Sequence, residues 1–393
     1  MRALRGKGIA AAFLMASLAM GSLSAGTVTA SGRVRWVDDD GLAGGPRGCD
    51  GQQAAQSTVQ GGVDASAAGD TVRVCPGSYR EVVSIATAGL TVEGVTGLRA
   101  RIVPLQNDTS AAGTAEPAIH VTANGVTLRN LSVLIPNTCQ YLYVGINVEL
   151  ARHVRVLNSQ VAEQGPASTT ADFCGLQDGI VYNQATGEVA NNVVRSSFSV
   201  GILVINGSSL SAHDNVVNVP EGPCATAACT AGGGPTPNGI YVSASSAAVR
   251  HNKIKASLTS GTATTPPGGV IVDGSMASAG HVVSVTHNSI RGVSFGVQVR
   301  GSSGVVSSNN IRGGTGDGIS VFFSEQLKIR HNRVTSQGGS GITFSSDSTG
   351  NTIRGNNFSG NAGIDCVDAS AGPANTWTGN LGDESSPTGL CAP

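Results

Sequence analysis

The stretch NSIRGVSFGVQVRGSSGVVSSNNIRGGTGDGISVFFSEQLKIRHNRV, residues 288–334, carries the pattern that decides the fold. Two short phrases recur in it. The first is Gly followed by Ile or Val, as at Gly296-Val297. The second is Asn with an apolar residue two positions on, as at Asn309-Asn310-Ile311. Each phrase returns after about 22 residues, which predicts a solenoid built from one structural unit per repeat.

The same two phrases extend over most of the chain. The Ile or Val of the first phrase stands at positions 119, 146, 180, 202, 240, 270, 297, 319, 342 and 364. The Asn of the second phrase stands at positions 130, 158, 192, 215, 252, 288, 309, 332 and 356. The shortest step in the first series is 22 residues, from 297 to 319, and the longer steps are interpreted as this unit plus an insertion.

Within each unit the apolar residues alternate with other residues, as in GIYVS at 239–243. A period of two indicates β-strands, here very short ones, and not helices. Three such strands, with turns rich in Gly, Ser and Asn, fill one unit and make one coil of a parallel β-helix. We therefore predict an all-β, single-stranded solenoid of about ten or more coils, capped at both ends.

The recurring Asn predicts an internal ladder. An Asn residue tolerates the left-handed backbone of a turn, and its amide can hydrogen-bond to the Asn of the next coil. Successive coils are expected to lie about 4.8 Å apart. Asn130 and Asn158 would begin this ladder. Its further predicted members are Asn192, Asn215, Asn252, Asn288, Asn309, Asn332 and Asn356.

These phrases resemble the repeats of the pectin-lyase-like and NosD-like β-helix proteins. The stretch 58–81, with TVQ at 58–60, AGDTVRV at 68–74, PGSY at 76–79 and Glu81, is similar to the opening of those chains. The resemblance covers residues 55–380 and implies a right-handed parallel β-helix that this opening caps and begins. It is specific for the fold and not for an activity, because this fold includes lyases, hydrolases, esterases, epimerases and non-catalytic modules.

The N-terminus has the pattern of a secretory signal peptide. Arg2, Arg5 and Lys7 precede an apolar run over 9–23, and small residues follow it. We predict a signal peptide over 1–30, secretion to the periplasm or the extracellular space, and a single β-helix domain over 31–393. Within that domain we expect an N-terminal cap over 31–70, coils over 71–364 and a C-terminal cap over 365–393.

Eight cysteines in an exported chain favour disulfides. Sequential pairing is the prediction, and a metal site at Cys224 and Cys229 is the alternative. The predicted pairs are Cys49–Cys75, Cys139–Cys174, Cys224–Cys229 and Cys366–Cys391.

The composition excludes two classes of protein. Hydrophobic residues make up 40% of the chain, which is too much for a disordered protein. Lys plus Arg number 24 and Asp plus Glu number 25, so the formal net charge is −1. This balance argues against a nucleic-acid-binding protein, which needs a basic surface to neutralise phosphates.

Long insertions recur at one corner of the predicted coil, between the Asn phrase and the next Gly-Ile phrase. They occupy 131–144, 159–178, 216–238 and 253–268. In a solenoid such insertions project from one side and often form a binding face. Long surface loops also persist without a function, because lengthening a loop costs little stability.

The strand that follows this corner carries the predicted site. Residues that alternate with its inward Ile and Val point outward, which brings Asp273 and Arg300 to equivalent positions on adjacent coils. For an elimination on a uronate sugar, Arg300 would neutralise the carboxylate and Tyr241 would remove the C5 proton. We therefore predict Tyr241, Asp273 and Arg300 as catalytic residues. The alternatives are an exposed ion pair between Asp273 and Arg300 and an ordinary surface tyrosine.

Further outward residues, Glu149, Asn183 and Gln298, are predicted to bind substrate. Hydrolysis would need two carboxylates at a fixed separation, and pairing Asp273 with Asp178 or Glu149 would have to span one to four coils. The catalytic Asn-Thr-Asp of polygalacturonases and the Asp-Pro-His-Asp of alginate epimerases do not occur.

We therefore predict a secreted protein that acts on or binds polysaccharide, with lyase-like chemistry as the first hypothesis. The alternative is a non-catalytic glycan-binding or cell-surface structural module. A third hypothesis, maturation of a copper site as in NosD-like proteins, rests on repeat similarity alone. The predicted partner is a polysaccharide or cell-surface glycan and not nucleic acid. No cofactor or metal ligand set is predicted, and a calcium requirement and the oligomeric state are left open.

Overall fold

Three long sheets, in which every strand pairs in parallel, wind around one interior. The computed structural model describes residues 32–43, 48–95, 97–105, 116–136, 142–164, 175–195, 199–219, 237–256, 267–274, 281–370 and 374–393. Successive strands of the chain pass from one sheet to the next, so that most coils contribute one strand to each sheet. The predicted all-β parallel β-helix is confirmed.

Sheet I precedes the Asn corner of each coil. In the described residues it has 13 strands. They are Val34–Val37, Thr71–Val74, Thr91–Gly94, Thr127–Arg129, Val154–Leu157, Thr186–Ala190, Ser209–His213, Ser246–Arg250, Val282–Thr286, Ser303–Ser307, Leu327–Arg330, Thr352–Arg354 and Thr376–Thr378.

Sheet II follows the Asn corner and has 10 strands in the described residues. They are Gly77–Arg80, Ala100–Val103, Leu131–Pro136, Gln160–Gln164, Val193–Arg195, Val216–Val219, Lys253–Ala256, Ser289–Arg291, Asn310–Arg312 and Arg333–Thr335.

Sheet III follows the corner that carries the predicted insertions and has 12 strands in the described residues. They are Val83–Ile85, Glu116–Val121, Leu142–Glu149, Gly175–Asn183, Val200–Ile205, Asn238–Ser243, Gly268–Asp273, Phe295–Arg300, Ile319–Phe322, Ile342–Phe344, Cys366–Asp368 and Ser385–Ser386.

A short α-helix, Val59–Asp64, lies near the N-terminal end of the solenoid. Its first N–H groups are held by side chains from the opening motif. The Glu81 carboxylate accepts hydrogen bonds from the N–H groups of Val59 and Gln60 at 2.7 and 2.8 Å. The Thr58 hydroxyl accepts one from Gly61 at 3.0 Å. These bonds satisfy donors that the helix itself leaves unpaired. The other small elements are the single-turn helices Gly48–Asp50 and Gly97–Arg99 and the antiparallel pair Leu42–Ala43 and Gln53–Ala54.

Two predicted disulfides close the ends of the solenoid. Cys49–Cys75 and Cys366–Cys391 join Cα atoms that are 5.5 and 6.2 Å apart. Cys139, Cys174, Cys224 and Cys229 lie outside the described residues, as does the predicted signal peptide. In the described part of the chain, no helix has the length and apolar character needed to cross a membrane.

Strands of sheet I extend into both predicted caps. Val34–Val37 pairs in register with Thr71–Val74, so a strand lies within the stretch 31–70. Thr376–Thr378 pairs with Thr352–Arg354 and extends the same sheet into 365–393. Residues Gly32–Pro393 form one compact unit. The domain boundaries given above stay predictions.

The Ile or Val of the Gly-Ile phrase forms a continuous interior column. Its members align strand by strand in sheet III and are fully buried, and burial of each aliphatic side chain is worth about 1.5–3 kcal/mol. They are Ile119, Ile146, Ile180, Ile202, Ile240, Val270, Val297, Ile319 and Ile342. The last predicted member is wrong, because Cys366 aligns with Ile342 while Ile364 is 38% exposed.

The glycine of the same phrase is required by a close approach between sheets II and III. A Cβ atom on Gly296 would lie 2.3 Å from Cγ2 of Ile311 and 2.5 Å from the carbonyl oxygen of Gly318. Both contacts are shorter than any real Cβ contact, so only a residue without a side chain fits. The Gly-Ile phrase therefore marks a corner where a strand of sheet II lies against the start of the sheet III strand one coil earlier.

Buried asparagines link consecutive coils. The Oδ1 atom of each accepts hydrogen bonds from the backbone N–H and the Nδ2 of the Asn one coil earlier, at 2.9–3.1 Å. Each Nδ2 also donates to a carbonyl of sheet I, for example from Asn252 to Ala212 at 2.9 Å. The chain of bonds begins at Leu131, whose N–H donates to the Ser159 hydroxyl at 3.2 Å, and the N–H of Ser159 donates to Asn192 at 2.9 Å. Its asparagines are Asn192, Asn215, Asn252, Asn288, Asn309, Asn332, Asn356 and Asn380.

The left-handed backbone at this corner belongs to the residue before the ladder. His251, His287 and His331 have φ of 55°, 56° and 54°, whereas the Asn that follows each of them hydrogen-bonds along the ladder. Asn130 and Asn158, with φ of 58° and 49°, occupy this left-handed position. Their prediction as ladder residues is therefore wrong. Asn is suited to both positions, so the sequence pattern assigned the ladder position one residue too early in these two coils.

Candidate functional site

A cleft of about 290 Å³ lies on the outward face of sheet III. It contains the three residues predicted as catalytic and one predicted to bind substrate. Its lining consists of Asn238, Tyr241, Gly268, Ile271, Asp273, Phe295, Gln298 and Arg300.

Three adjacent strands, Asn238–Ser243, Gly268–Asp273 and Phe295–Arg300, position these side chains. Tyr241 pairs with Ile271, which pairs with Gln298 on the next coil. Asp273 pairs directly with Arg300, as the repeat spacing predicted. Alternate residues of each strand are buried in the interior column, so the period of two turns these polar side chains outward.

Tyr241 and Asp273 meet on a diagonal across two coils. The phenol oxygen of Tyr241 lies 3.5 Å from Oδ2 of Asp273, the outer limit of a hydrogen bond. Partial burial raises the pKa of Tyr241, and the negative charge of Asp273 adds to the rise. A hydrogen bond with Ser243 and the charge of Arg300 oppose it. The phenol therefore keeps its proton at neutral pH, which favours a proton donor over the base that the sequence suggested.

The guanidinium of Arg300 is exposed at the edge of the cleft. It lies over the ring of Phe322 on the next coil, with 5.7 Å between its central carbon and the ring centroid. Such a cation–π contact orients a cation while leaving its N–H groups available. Arg300 is therefore held beside Asp273 at the edge of the cleft.

Small and apolar residues that sequence reasoning missed shape the cleft. A Cβ on Gly268 would lie 2.3 Å from Oδ1 of Asn238, so the absence of a side chain opens this wall. Phe295 and the buried Ile271 supply the apolar part of the lining. Asn238, Gly268 and Phe295 each directly precede the glycine of a Gly-Ile phrase. That common position was the available signal.

Glu149 and Asn183, predicted to bind substrate, lie outside this cleft. Glu149 is four strands away from Asp273 in sheet III, a separation of about 19 Å at 4.8 Å per strand. Its carboxylate lies 3.1 Å from Nε2 of His120. The side-chain oxygen of Asn183 accepts a hydrogen bond from Asn206 at 2.8 Å. These residues belong to a separate polar region nearer the N-terminus.

Asp178 is buried and hydrogen-bonded to the backbone of the next coil. It is 6% exposed, and it accepts a hydrogen bond from the N–H of Val200 at 3.0 Å. Burial raises the pKa of Asp178 to about 6. Because it lies three strands from Asp273 in sheet III, the two carboxylates cannot act on one glycosidic bond, whose acid and base lie less than about 10 Å apart.

The cleft therefore combines one carboxylate, one protonated phenol, one guanidinium and one amide. Such a set can bind an acidic sugar, remove one proton and return another. A hydrolase of the usual kind needs a second carboxylate, and Asp273 is the one carboxylate among the lining residues.

Comparison with known proteins supports this architecture. Residues 233–381, which include all three strands of the cleft, match the family model described as a periplasmic copper-binding protein, NosD. No curated protein sequence matches the chain.

Solved structures with the same architecture cover most of this chain. The GH136 lacto-N-biosidase from Eubacterium ramulus is 12% identical, with a TM-score of 0.60 over 90% of this chain and 67% of that chain. The chain is a right-handed parallel β-helix. The catalytic unit of the GH87 α-1,3-glucanase from Streptomyces thermodiastaticus is 13% identical, with a TM-score of 0.58 over 91% and 70%. The polygalacturonase from Erwinia carotovora is 9% identical, with a TM-score of 0.53 over 90% and 97%. Identities this low show the fold alone.

Proposed function

We propose that the chain binds a uronate-containing polysaccharide in the sheet III cleft and cleaves it by β-elimination. The observation that carries this proposal is the meeting of Tyr241, Asp273 and Arg300 across three adjacent coils. The solved structures named above include enzymes that act on carbohydrate, which supports a carbohydrate-active protein at the level of the fold.

In the proposed reaction each residue has one role. Arg300 pairs with the sugar carboxylate and stabilises the negative charge that develops when the C5 proton leaves. Asp273 removes that proton. The electron pair forms the C4–C5 double bond, the bond from C4 to the glycosidic oxygen breaks, and Tyr241 donates its proton to the departing oxygen. Gln298 donates to or accepts from a sugar hydroxyl.

Export fits this proposal, since polysaccharides of this kind lie outside the cytoplasm. The disulfides Cys49–Cys75 and Cys366–Cys391 support an oxidising compartment. The signal-peptide pattern at the N-terminus agrees with that compartment. We propose the periplasm or the extracellular space as the location.

The test is to incubate the purified chain with polygalacturonate, alginate and other polyuronates while following the ultraviolet absorbance of the unsaturated product. We expect activity on at least one of them. Asp273→Asn and Tyr241→Phe should each lower kcat by about 10²–10⁴-fold, the usual contribution of a general acid or base. The matched control is Asp347→Asn, which changes an exposed carboxylate elsewhere on the solenoid.

Saturable polyuronate binding without product would contradict the elimination and support the alternative of a non-catalytic glycan-binding module. Activity that survives Asp273→Asn unchanged would remove Asp273 from the reaction. No binding to any polyuronate would reject the proposed ligand class.

A copper role has less support from the side chains. The rings of His251 and His287 stack with centroids 5.0 Å apart on adjacent coils. In the described part of the chain, no third His, Cys, Asp or Glu joins this pair in a metal-binding group. The group that has three such residues, Asp38, Cys49 and Cys75, has its two cysteines joined in a disulfide. These residues do not fit a copper centre.

A further inference from the structure

A column of cations runs along the outer face of sheet II. Arg291 pairs directly with Lys255 on one side and with Arg312 on the other. Lys255 pairs in turn with Asn218, and Asn218 with Arg195. Arg195, Arg291 and Arg312 are exposed, and Lys255 is half-buried. We call Arg195, Lys255, Arg291 and Arg312 the basic column.

The six sheet II strands from 193 to 335, which include every strand of the column, add further positive charge and no negative charge. Lys253 and Arg333 lie on the same face, two residues from the column on their strands. The six strands from 193 to 335 contain no Asp or Glu, reading VVR, VVNV, KIKA, SIR, NIR and RVT. Among the described residues, none of these six cations takes part in an ion pair.

A broad cleft of about 600 Å³ opens beside the column. Its far wall is the corner that leads into sheet III, where Gly292, Gly313 and Ser336 have φ of 68°, 64° and 57°. A Cβ on Gly313 would meet nothing within 4 Å, so this wall is open to solvent. The cleft is lined by Lys255, Ala256, Arg291, Gly292, Arg312, Gly313 and Ser336.

Like charges at directly opposed positions on neighbouring strands destabilise a sheet. Here three cations, Lys255, Arg291 and Arg312, follow one another at the strand spacing of about 4.8 Å. A ligand with one negative charge per unit, running parallel to the solenoid axis, would neutralise all three. A single small anion would neutralise fewer and leave the rest of the column unpaired.

We propose that the basic column binds a linear anionic polysaccharide along the solenoid axis. This site lies on sheet II and is separate from the proposed catalytic cleft on sheet III, so it does not depend on the elimination chemistry. It holds a polymer chain on a second face of the protein. The contacts are charge-assisted hydrogen bonds from guanidinium and ammonium groups to carboxylate or sulfate groups.

Single-stranded nucleic acid fits this face less well. Proteins that bind it combine positive charge with aromatic side chains on which bases stack. None of the six sheet II strands from 193 to 335 carries an aromatic residue. A polysaccharide needs charge and hydrogen-bond donors along its length, and the column supplies both.

The test measures binding of the full chain to polygalacturonate, dextran and single-stranded DNA by isothermal titration calorimetry at low and moderate salt. We expect binding to polygalacturonate, none to neutral dextran, and a strong decrease with salt. The double substitution Arg291→Gln and Arg312→Gln should weaken polygalacturonate binding roughly tenfold, as two exposed charge contacts predict. The double variant should also show a weaker dependence on salt.

The matched control is Arg330→Gln with Arg354→Gln, two exposed arginines that are direct neighbours on sheet I. It should bind like the unmodified chain. Equal losses in both double variants, or no loss in the first, would overturn the proposal. So would loss only with Asp273→Asn or Arg300→Ala, since all binding would then occur in the sheet III cleft. Stronger binding of DNA than of polygalacturonate would also overturn it. Absence of lyase activity would leave the proposal standing.

Discussion

The Asn ladder and the basic column are both made by stacking one kind of polar residue coil upon coil, yet they stand in opposite situations. Asn carries a donor and an acceptor, so Asn252 bonds both to Asn215 and to Asn288 and the ladder is complete within the protein. Lys and Arg carry donors only. The positive charges of Arg291 and Arg312 repel each other. These side chains cannot accept hydrogen bonds from each other, so the negative charge that would neutralise them has to come from a ligand. Self-complementary repetition therefore supports the fold, whereas the three consecutive cations Lys255, Arg291 and Arg312 support the proposed ligand site.

The largest effect on stability should follow from cutting the ladder. Asn252→Ala leaves the N–H of Asn215 and the carbonyl of Ala212 without these partners in the interior, and it removes one of the two hydrogen bonds donated by Nδ2 of Asn215. Each unsatisfied buried group costs about 1–3 kcal/mol, so we expect a loss of about 3 kcal/mol or more. The midpoint of urea unfolding measures it. His251→Asn is the control, because Asn also suits the left-handed position before the ladder. If both variants unfold alike, the ladder is not what stabilises this corner.

A smaller effect is expected at Glu163, a half-buried carboxyl on sheet II. Burial raises the pKa of Glu163 from 4.5 to about 7. The folded state therefore prefers the protonated form, and this contribution to stability is complete below pH 4.5 and lost as the pH rises through 7. Glu163→Gln removes the cost of ionisation, so the variant should gain roughly 1–3 kcal/mol at pH 8 relative to the unmodified chain.

The measurement is the unfolding midpoint of Glu163→Gln and the unmodified chain between pH 4 and pH 8. The difference between them should be small at pH 4 and grow toward pH 8. Glu325→Gln, at an exposed position, is the control. Its unfolding midpoint should equal that of the unmodified chain at both pH 4 and pH 8. A constant difference across this range would show that ionisation of Glu163 is not coupled to folding.

The smallest effect should come from the basic column itself. Arg291→Gln removes repulsion with Lys255 and Arg312 and should raise stability by a few tenths of a kcal/mol at low salt, the size of an exposed charge pair. The gain should fade at high salt because exposed charges are screened. A loss above about 1 kcal/mol would mean that Arg291 supports the fold as the ladder does, which would remove the contrast between the two columns.

Repetition made the fold and part of the site predictable from the sequence. The period of two and the repeat length placed Asp273 opposite Arg300, and the structure has them as direct neighbours. The same reasoning failed at Asn130 and Asn158, where one residue type serves two adjacent positions. The same repeats place Glu149 four coils from Asp273, so a shared outward face was not enough to assign Glu149 to the same cleft.

The remaining features depend on properties that a residue pattern does not record. Gly268 opens the cleft only because Asn238 lies across from it. The pKa of Tyr241 depends on burial and on the charge of Asp273, so proposing it as a donor and not as a base needed the structure. A net charge of −1 concealed the basic column, because the balancing acidic residues lie on other parts of the molecule.

The ladder also turns the coil into an interchangeable module. Asn288, Asn309 and Asn332 have the same partners in the same geometry, so duplication or deletion of a whole turn of the chain there would present each interior neighbour with the environment it already has. Each added or deleted coil would change the length of the outer sheet faces along the solenoid axis by one strand spacing. Evolution can thereby lengthen or shorten the outer faces of such a protein without redesigning its core.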